Sequence, residues 1–464
     1  MQQDLTAGLE QLTTAYACHR YPTLNERKQW LLTLKRLLIE KQDEIATAIS
    51  EDFGRRSLDE TRILEILPVV SAIRFNLRHL RRWMRPSRRS SGLLFFPGKS
   101  QVLYQPLGVI GVVAPWNYPL MLSAGPMVSA MAAGNRMMIK MSEFTPNFGR
   151  LFAELCKQYF GDDLVQVVNG DSQVAQAFSS LPFDHLLFTG STNIGRAVMK
   201  AAADNLTPVT LELGGKSPVI IGPDYDIRET ARRLLWPKIM SSGQTCVAPD
   251  YVLCPEGKVG QLVDELKALY NHQLPDAAAN MDCTYVISER QRARLDQLLT
   301  EAVDMGARVV KAQEYSPEAR HRPLILVTEV TSKMRIMQEE IFGPLLPIVA
   351  YKDLQQAVEM VNAAPRPLAL YVFSNDAAVQ RRVMEQTHSG GAMVNDAAIH
   401  VGVDSIPFGG VGPSGMGHYH GWEGFQQFSN AKGIHRRGRI HLTRLFNPPY
   451  NRWLVRLMQK LFIR

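Results

Sequence analysis

A chain of 464 residues is too long for one ordinary core, so two or three domains are expected. Its 45% hydrophobic and 21% charged residues match a soluble globular protein, and the lack of an apolar run of about 18 residues argues against a spanning helix. The net charge of +8 is concentrated, with seven arginines and no acid between 74 and 89 and no acid after Arg436; there is no basic groove interleaved with aromatics, so nucleic acid is excluded as the natural partner.

The start, Met-Gln-Gln-Asp-Leu, has neither the basic flank nor the apolar run of a signal peptide. Five scattered cysteines, Cys18, Cys156, Cys246, Cys254 and Cys283, are odd in number and lack metal-ligand spacing. They point to reduced thiols in a cytosol and to no metal site.

Residues 1–90 read as helices. Over 24–49, Trp30, Leu31, Leu34, Leu37, Leu38 and Ile45 recur at helical spacing, with Thr23 or Asn25 as the cap. A second long helix is expected over 60–84, kinked at Pro68 and ended by Arg85-Pro86. After a polar Ser/Arg-rich break, 101–107 reads as a strand and 108–114 as a buried one. Pro-Trp-Asn-Tyr-Pro (115–119) follows at once, a turn beyond a strand end, where open α/β sheets place their sites. The alternative is a plain tight turn in which Asn117 bonds its own backbone.

A helix over 120–134 and a strand over 137–140 come next. Lys140, Ser142 and Glu143 at the strand end either hold an adenosine ribose or cap the helix after Pro146. A helix over 147–160 leads to a strand at 165–168. A strand over 185–189, the turn from Gly190 and Ser191 to Gly195, and a helix over 196–203 have the order of a dinucleotide site. Glycines admit a pyrophosphate, and a helix N-terminus favours the anion. The three-glycine fingerprint is incomplete. Alternating βα units over 105–222 predict a parallel, doubly wound sheet.

Glu212 ends a strand in Leu-Glu-Leu-Gly-Gly-Lys (211–216), and Gly214-Gly215 allows close backbone approach. After a strand at 219–221, a helix over 227–240 is expected to be interrupted at Pro237. The small-residue loop 241–245 then leads to Cys246. One carboxylate and one thiol, each beside glycines, is the equipment of covalent thiol catalysis. Cys254 alternates within a strand at 251–254 and reads as core; Cys18, Cys156 and Cys283 read as packing thiols. Helices at 259–270, 288–304 and 354–363, with strands at 307–310, 323–327, 346–350, 368–373 and 391–395, make a second α/β domain. Glu340 joins a helix to a strand, and 407–417 is a glycine-rich loop. The tail 451–464 is basic and amphipathic. It suits packing on its own protein, cover for a pocket mouth or peripheral contact with an anionic membrane.

Taken in order, Pro-Trp-Asn-Tyr-Pro (115–119), Lys-x-Ser-Glu (140–143), Phe-Thr-Gly-Ser-Thr-x-x-Gly (188–195), Leu-Glu-Leu-Gly-Gly-Lys (211–216), Gly-Gln-Thr-Cys (243–246), Glu-Ile-Phe-Gly-Pro (340–344) and Pro-Phe-Gly-Gly (407–410) resemble the aldehyde dehydrogenase superfamily over about 20–435. Leu-Thr-Pro-Val-Thr (206–210), Cys-Val-Ala-Pro-Asp-Tyr (246–251) and Ser-Gly-Met-Gly-x-Tyr-His-Gly (414–421) are similar to its class 3-like branch. The basic, proline-tyrosine-bearing tail resembles that of the bacterial coniferyl aldehyde dehydrogenases.

The resemblance implies a Rossmann-like cofactor domain (1–92 and 108–211), a second α/β catalytic domain (212–405), a small β oligomerisation element (93–107 and 420–437) and a tail (438–464), in a homodimer. It implies Cys246 as nucleophile, Asn117 as oxyanion donor and Glu212 as base toward water. Lys140, Ser142, Glu143, Gly190, Ser191, Gly195, Glu340, Phe342 and Trp116 would hold the cofactor. Tyr118, Thr245 and Phe408 would line the aldehyde pocket. Glu143 favours NAD; Lys140 keeps NADP open. The implied substrate is an apolar aldehyde, aromatic such as coniferyl aldehyde or else aliphatic. A non-redox thiol acyl hydrolase on the same fold is the rival. Ser242 departs from the Asn that many relatives carry before Gly-Gln-x-Cys.

Overall fold

The computed structural model describes residues 2–92, 95–438, 447–450 and 452–463. The chain opens with the helix Gln2–Cys18, then Leu24–Glu40 and Gln42–Phe53. The single helix expected over 24–49 is therefore two. Lys41, at φ −110° and ψ 15°, breaks it, and a polar residue at a surface corner loses little by leaving the helix. Thr23 is the cap: its hydroxyl accepts the Glu26 N–H while the Glu26 carboxylate accepts the Thr23 N–H. Leu31, Leu34, Leu37, Leu38 and Ile45 are fully buried.

The kink near Pro68 takes the form of a π turn, Arg62–Ile66, running into the helix Leu67–Trp83. Proline has no N–H to give to the preceding turn, and the wider turn accommodates that loss.

Among the described residues, sixteen strands form three sheets. They are β1 (Ser87–Arg89), β2 (Lys99–Pro106), β3 (Val109–Val113), β4 (Arg136–Lys140), β5 (Val165–Val168), β6 (His185–Thr189), β7 (Val209–Glu212), β8 (Pro218–Ile221), β9 (Tyr251–Pro255), β10 (Arg308–Lys311), β11 (Ile325–Thr328), β12 (Leu345–Tyr351), β13 (Ala369–Phe373), β14 (Gly391–Val394), β15 (Gly415–Met416) and β16 (Ser429–Arg436). The first sheet has the order β15-β7-β6-β3-β4-β5, parallel except for β15. Strand order reverses between β3 and β6, so the crevice of this doubly wound sheet lies beyond their C-terminal ends. Those ends carry the 115–119 turn and the Gly190 turn.

The second sheet has the order β10-β11-β12-β9-β8-β13-β14, parallel except for β10. Glu212 sits at the C-terminal end of β7, just before β8 starts, and Cys246 sits just before β9. The two parallel sheets thus meet C-terminal edge to N-terminal edge, with the candidate residues between them. The third sheet is antiparallel, β1-β2-β16, with eight paired residues between β2 and β16. Its β1 stands where a polar break was expected.

Other departures are local. The helix expected from 196 begins at Thr192. Pro237 does not interrupt the helix Ile227–Ile239 at Trp236; it forfeits its own bond to the Arg233 carbonyl, and the helix ends two residues later. Helices Ser172–Ser179 and Ala377–Gln386 were not anticipated. Cys18 is exposed rather than packed, while Cys156, Cys254 and Cys283 are buried. In the tail, the helix Trp453–Phe462 buries Val455 and exposes Trp453, Leu457, Leu461 and Phe462. Among the described residues no helix is long and apolar enough to cross a membrane.

Candidate active site

The loop before Cys246 is a tight 3-10 turn, Met240–Gly243, in which Ser241 and Ser242 take left-handed backbone angles (φ 49° and 55°). Gly243 continues at φ +71°, and a Cβ there would lie 2.4 Å from the Gly343 carbonyl oxygen, so only glycine lets this loop rest on the 340–344 segment. The Gln244 side chain braces the turn, giving hydrogen bonds to the Ser241 and Tyr285 carbonyls and accepting the Ile287 N–H.

The 115–119 turn packs directly on this loop. Asn117 is 3% exposed, and its amide nitrogen donates to the Gln244 carbonyl at 3.1 Å. It therefore bonds the cysteine loop and not its own turn. An amide nitrogen carries two hydrogens, so a second remains for another acceptor. Tyr118 and Thr245 share a hydroxyl–hydroxyl bond of 2.7 Å. Cys246 is half-buried, with the backbone N–H groups of Cys246 and Val247 directed at its sulfur. Burial, then the negative charges of Glu340 and Glu212, push its thiol up to about 12.

Those two carboxylates come from different elements. Glu212 is 3% exposed; neither carboxylate oxygen has a hydrogen-bond partner, and burial raises its pKa well above the usual carboxylate range. The 407–417 loop walls it in. Gly415 pairs with Glu212 across β15 and β7, and a Cβ on Gly409 would stand 3.1 Å from the Glu212 Oε1. Glu340 lies against Gly214, where a Cβ would come within 2.1 Å of its carboxylate, and it accepts the Gly215 N–H. Burial and the nearby Asp250 push Glu340 up to about 8. Its backbone is pinned: Lys216 pairs with Asp250 and donates to the Ile336 and Glu339 carbonyls, Asp250 accepts the Ile341 N–H, and Arg294 donates to the Glu340 carbonyl.

Cys246 opens onto an apolar cavity of about 250 Å³ lined by Tyr118, Thr245 and Phe408 together with Trp236, Met240 and Ile399. The three expected pocket residues are together there.

On the other side of the first sheet's edge, Lys140 is 1% exposed at the end of β4, with its ammonium 3.8 Å from the Glu143 carboxylate. Neither it nor Ser142 caps the following helix. Asp52 does, accepting the N–H groups of Asn147 and Phe148 at 2.9 Å each. The Lys140 ammonium donates to the Met141 carbonyl at 2.7 Å, and neither its remaining hydrogens nor the Glu143 carboxylate is committed to the helix start. Ser191 is the N-cap of the helix Thr192–Ala203, and its side chain makes no cap hydrogen bond. Exposed N–H groups at a helix start with an uncommitted hydroxyl fit a pyrophosphate. Gly195 lies in the first helical turn, not in the loop before it; a Cβ there would meet Leu213 at 2.7 Å. Trp116 and Phe342 meet edge-to-face at 5.4 Å.

The aldehyde dehydrogenase family profile matches residues 4–434. The chain belongs to the aldehyde dehydrogenase family. It is 50% identical over 450 residues to a probable coniferyl aldehyde dehydrogenase of Pseudomonas aeruginosa, covering 97% of this chain and 94% of that protein. It is 39% identical over 422 residues to the mouse aldehyde dehydrogenase family 3 member A2, covering 91% and 86%. Among solved structures, the substrate-bound Staphylococcus aureus AldH superposes with a TM-score of 0.94 at 33% identity, covering 99% of each chain. The Mycobacterium tuberculosis aldehyde dehydrogenase complexed with NAD+ superposes with a TM-score of 0.85 at 28% identity, covering 94% and 90%.

For a chain of the aldehyde dehydrogenase family, several residues with a part in the site escaped the sequence reading. Lys216 and Asp250 bind each other and hold the Glu340 segment, yet lie 34 residues apart. Lys216 closes the Leu-Glu-Leu-Gly-Gly-Lys motif and was the available clue. Tyr371, fully buried, donates to the Val247 carbonyl at 2.5 Å and sits in a strand that reads as plain core.

Proposed function

We propose that this protein oxidises an apolar aldehyde to the carboxylate with NAD as hydride acceptor, NADP remaining usable through Lys140. The observation that carries this reading is a thiol at the end of an apolar cavity with two buried carboxylates close enough to shift its pKa. Lys140, Ser142, Glu143, Gly190, Ser191, Gly195 and Glu340 would hold the dinucleotide, with Trp116 and Phe342 beside it. NAD, when bound, supplies the hydride acceptor.

The chain's own residues do the rest. The Cys246 sulfur adds to the aldehyde carbon, and its proton leaves toward the buried carboxylates. The Asn117 amide and the Cys246 backbone N–H hold the oxygen of the thiohemiacetal, a contribution of about 3–4 kcal/mol per donor. Once the carbon has been oxidised to the thioester, Glu212 takes a proton from water. The hydroxide adds to the thioester carbon, and the Cys246 thiolate leaves as the carboxylate forms. Tyr118, Trp236 and Phe408 line the cavity, and three aromatic rings favour an aromatic substrate of the coniferyl kind over an aliphatic chain.

The test is direct. Cys246→Ala should form no NADH from any aldehyde, and Glu212→Gln should give one equivalent of NADH and then stall as an acyl-enzyme. Normal turnover by Cys246→Ala refutes the assignment. Absence of NAD binding in a titration would favour a thiol acyl hydrolase, and a higher kcat/KM for decanal than for coniferyl aldehyde would make the substrate aliphatic.

By the same reading, 1–92 with 108–211 binds the cofactor, 212–405 supplies the thiol, and 93–107 with 420–437 joins two copies as a homodimer. The tail helix, with exposed Trp453, Leu457, Leu461 and Phe462 beside Arg456 and Lys460, would contact an anionic membrane surface peripherally.

A further inference from the structure

Thiol addition requires the Asn117 amide and the Cys246 sulfur to stand at a fixed separation, yet they belong to loops 127 residues apart between Asn117 and Gln244. A buried charge cluster outside both loops ties them together. Arg56 is 1% exposed. Its Nη1 donates to the Asn117 carbonyl at 2.8 Å and lies 3.2 Å from the Glu65 carboxylate, and its Nε is 3.7 Å from the Glu60 carboxylate. The guanidinium also covers the Tyr118 ring at 4.8 Å. Glu65 accepts the N–H groups of Leu120 and Met121 at 2.8 and 3.1 Å, which fixes the far side of the 115–119 turn.

Glu60 reaches the other loop. One carboxylate oxygen accepts the Ser241 N–H at 2.6 Å, and the other accepts the Thr284 hydroxyl. Ser241 is the residue at which the cysteine loop enters its left-handed turn, a conformation an L-residue adopts at a cost unless it is held. Thus ten residues of one segment, 56–65, fix the turn that bears Asn117 and the turn that ends in Cys246. The cluster is not a well-satisfied stability device. Arg56 Nε and Nη2 and Glu65 Oε1 are buried without a hydrogen bond. Buried ion pairs of this kind are often replaceable by apolar residues without loss of stability.

We propose that Arg56 and Glu60 are positioning residues for thiol addition. They set the gap between the oxyanion donor and the sulfur by gripping the backbones of Asn117 and Ser241, without touching the aldehyde. The inference rests on the reading that Cys246 and Asn117 do the chemistry.

The experiment is a double-mutant cycle on the purified full chain with NAD and an aromatic aldehyde. Arg56→Lys and Glu60→Gln are each made in the native chain and in Asn117→Ala, and the pre-steady-state rate of NADH formation is read beside aldehyde KM. In the native background each substitution should slow that rate by about 10-fold or more with KM changed less than about threefold. In Asn117→Ala the same substitutions should cost less than about threefold, because the donor they position is gone. Iodoacetamide should alkylate Cys246 at the native rate in both single variants, since thiol access is not what they alter.

Losses that multiply fully with Asn117→Ala, or single-variant rates equal to the native one, would overturn the proposal. If Arg56→Lys does not fold, Glu60→Gln, which keeps the side-chain shape, decides the matter by the same criteria. If Asn117→Ala alone turns over at the native rate, the functional reading falls, an outcome distinct from failure of the clamp.

Discussion

Burial holds the sulfur of Cys246 as a thiol at neutral pH, and Glu340 is the neighbour whose own charge changes in the working range. It titrates near pH 8, so above that pH it opposes the thiolate and below it does not. Replacing it with Gln removes a like charge and lowers the thiol pKa. Alkylation of Cys246 by iodoacetamide should therefore run roughly tenfold faster in Glu340→Gln than in the native protein at pH 9.5, with the two converging at pH 6. Equal rates at pH 9.5 would show that Glu340 does not act on the sulfur. At this scale the motifs made Asn117, Glu212, Cys246 and Glu340 legible, because each sits in an unusual run of glycine, proline or polar residues. Arg56 was not legible. The second of two arginines after Gly54 has no local signature; its partners, Glu60 and Glu65 apart, are the Asn117 carbonyl and the Tyr118 ring of a distant turn.

The cysteine loop holds two consecutive non-glycine residues, Ser241 and Ser242, in left-handed backbone angles. The Ser242 φ of 55° is a conformation that Asn adopts more readily than Ser, since the Asn side chain bonds locally there. Ser242 also lines a cavity of about 440 Å³, with room for the two extra heavy atoms. Ser242→Asn should raise stability by about 0.5–1 kcal/mol with kcat retained. An unchanged or lower urea midpoint would show that the loop is held by Glu60 and Gln244 strongly enough to make the residue's own preference irrelevant. Element types were read well where burial was uniform, as in β3, β4, β8 and β13, whose residues are all buried. Boundaries were read less well. Lys41 and Thr192 mark helix ends set by corner geometry and by a turn against Leu213, which hydrophobic spacing does not record.

In the whole molecule, the site exists because the C-terminal edge of one sheet faces the N-terminal edge of another. Asn117, Ser191 and Glu212 come from the first, and Cys246 from the segment that leads into β9. The antiparallel sheet β1-β2-β16 stands apart from both, with β16 at its edge. Sedimentation velocity should give twice 52.1 kDa; a mass of one chain would remove β16 as an assembly edge. Removing 447–464 should leave turnover of a small soluble aldehyde intact while abolishing co-sedimentation with vesicles rich in anionic lipid, and undiminished vesicle binding would place that contact elsewhere. The sequence alone determined the alternation of strands and helices and put forward the candidate reacting groups, because motif spacing and burial periodicity are local properties. Only the tertiary structure decided which groups meet. The Asn117 bond to Gln244, the Arg56–Glu60–Glu65 clamp and the Lys216–Asp250 pair all join residues brought together by sheet order and loop packing, and no local spacing encodes such distances.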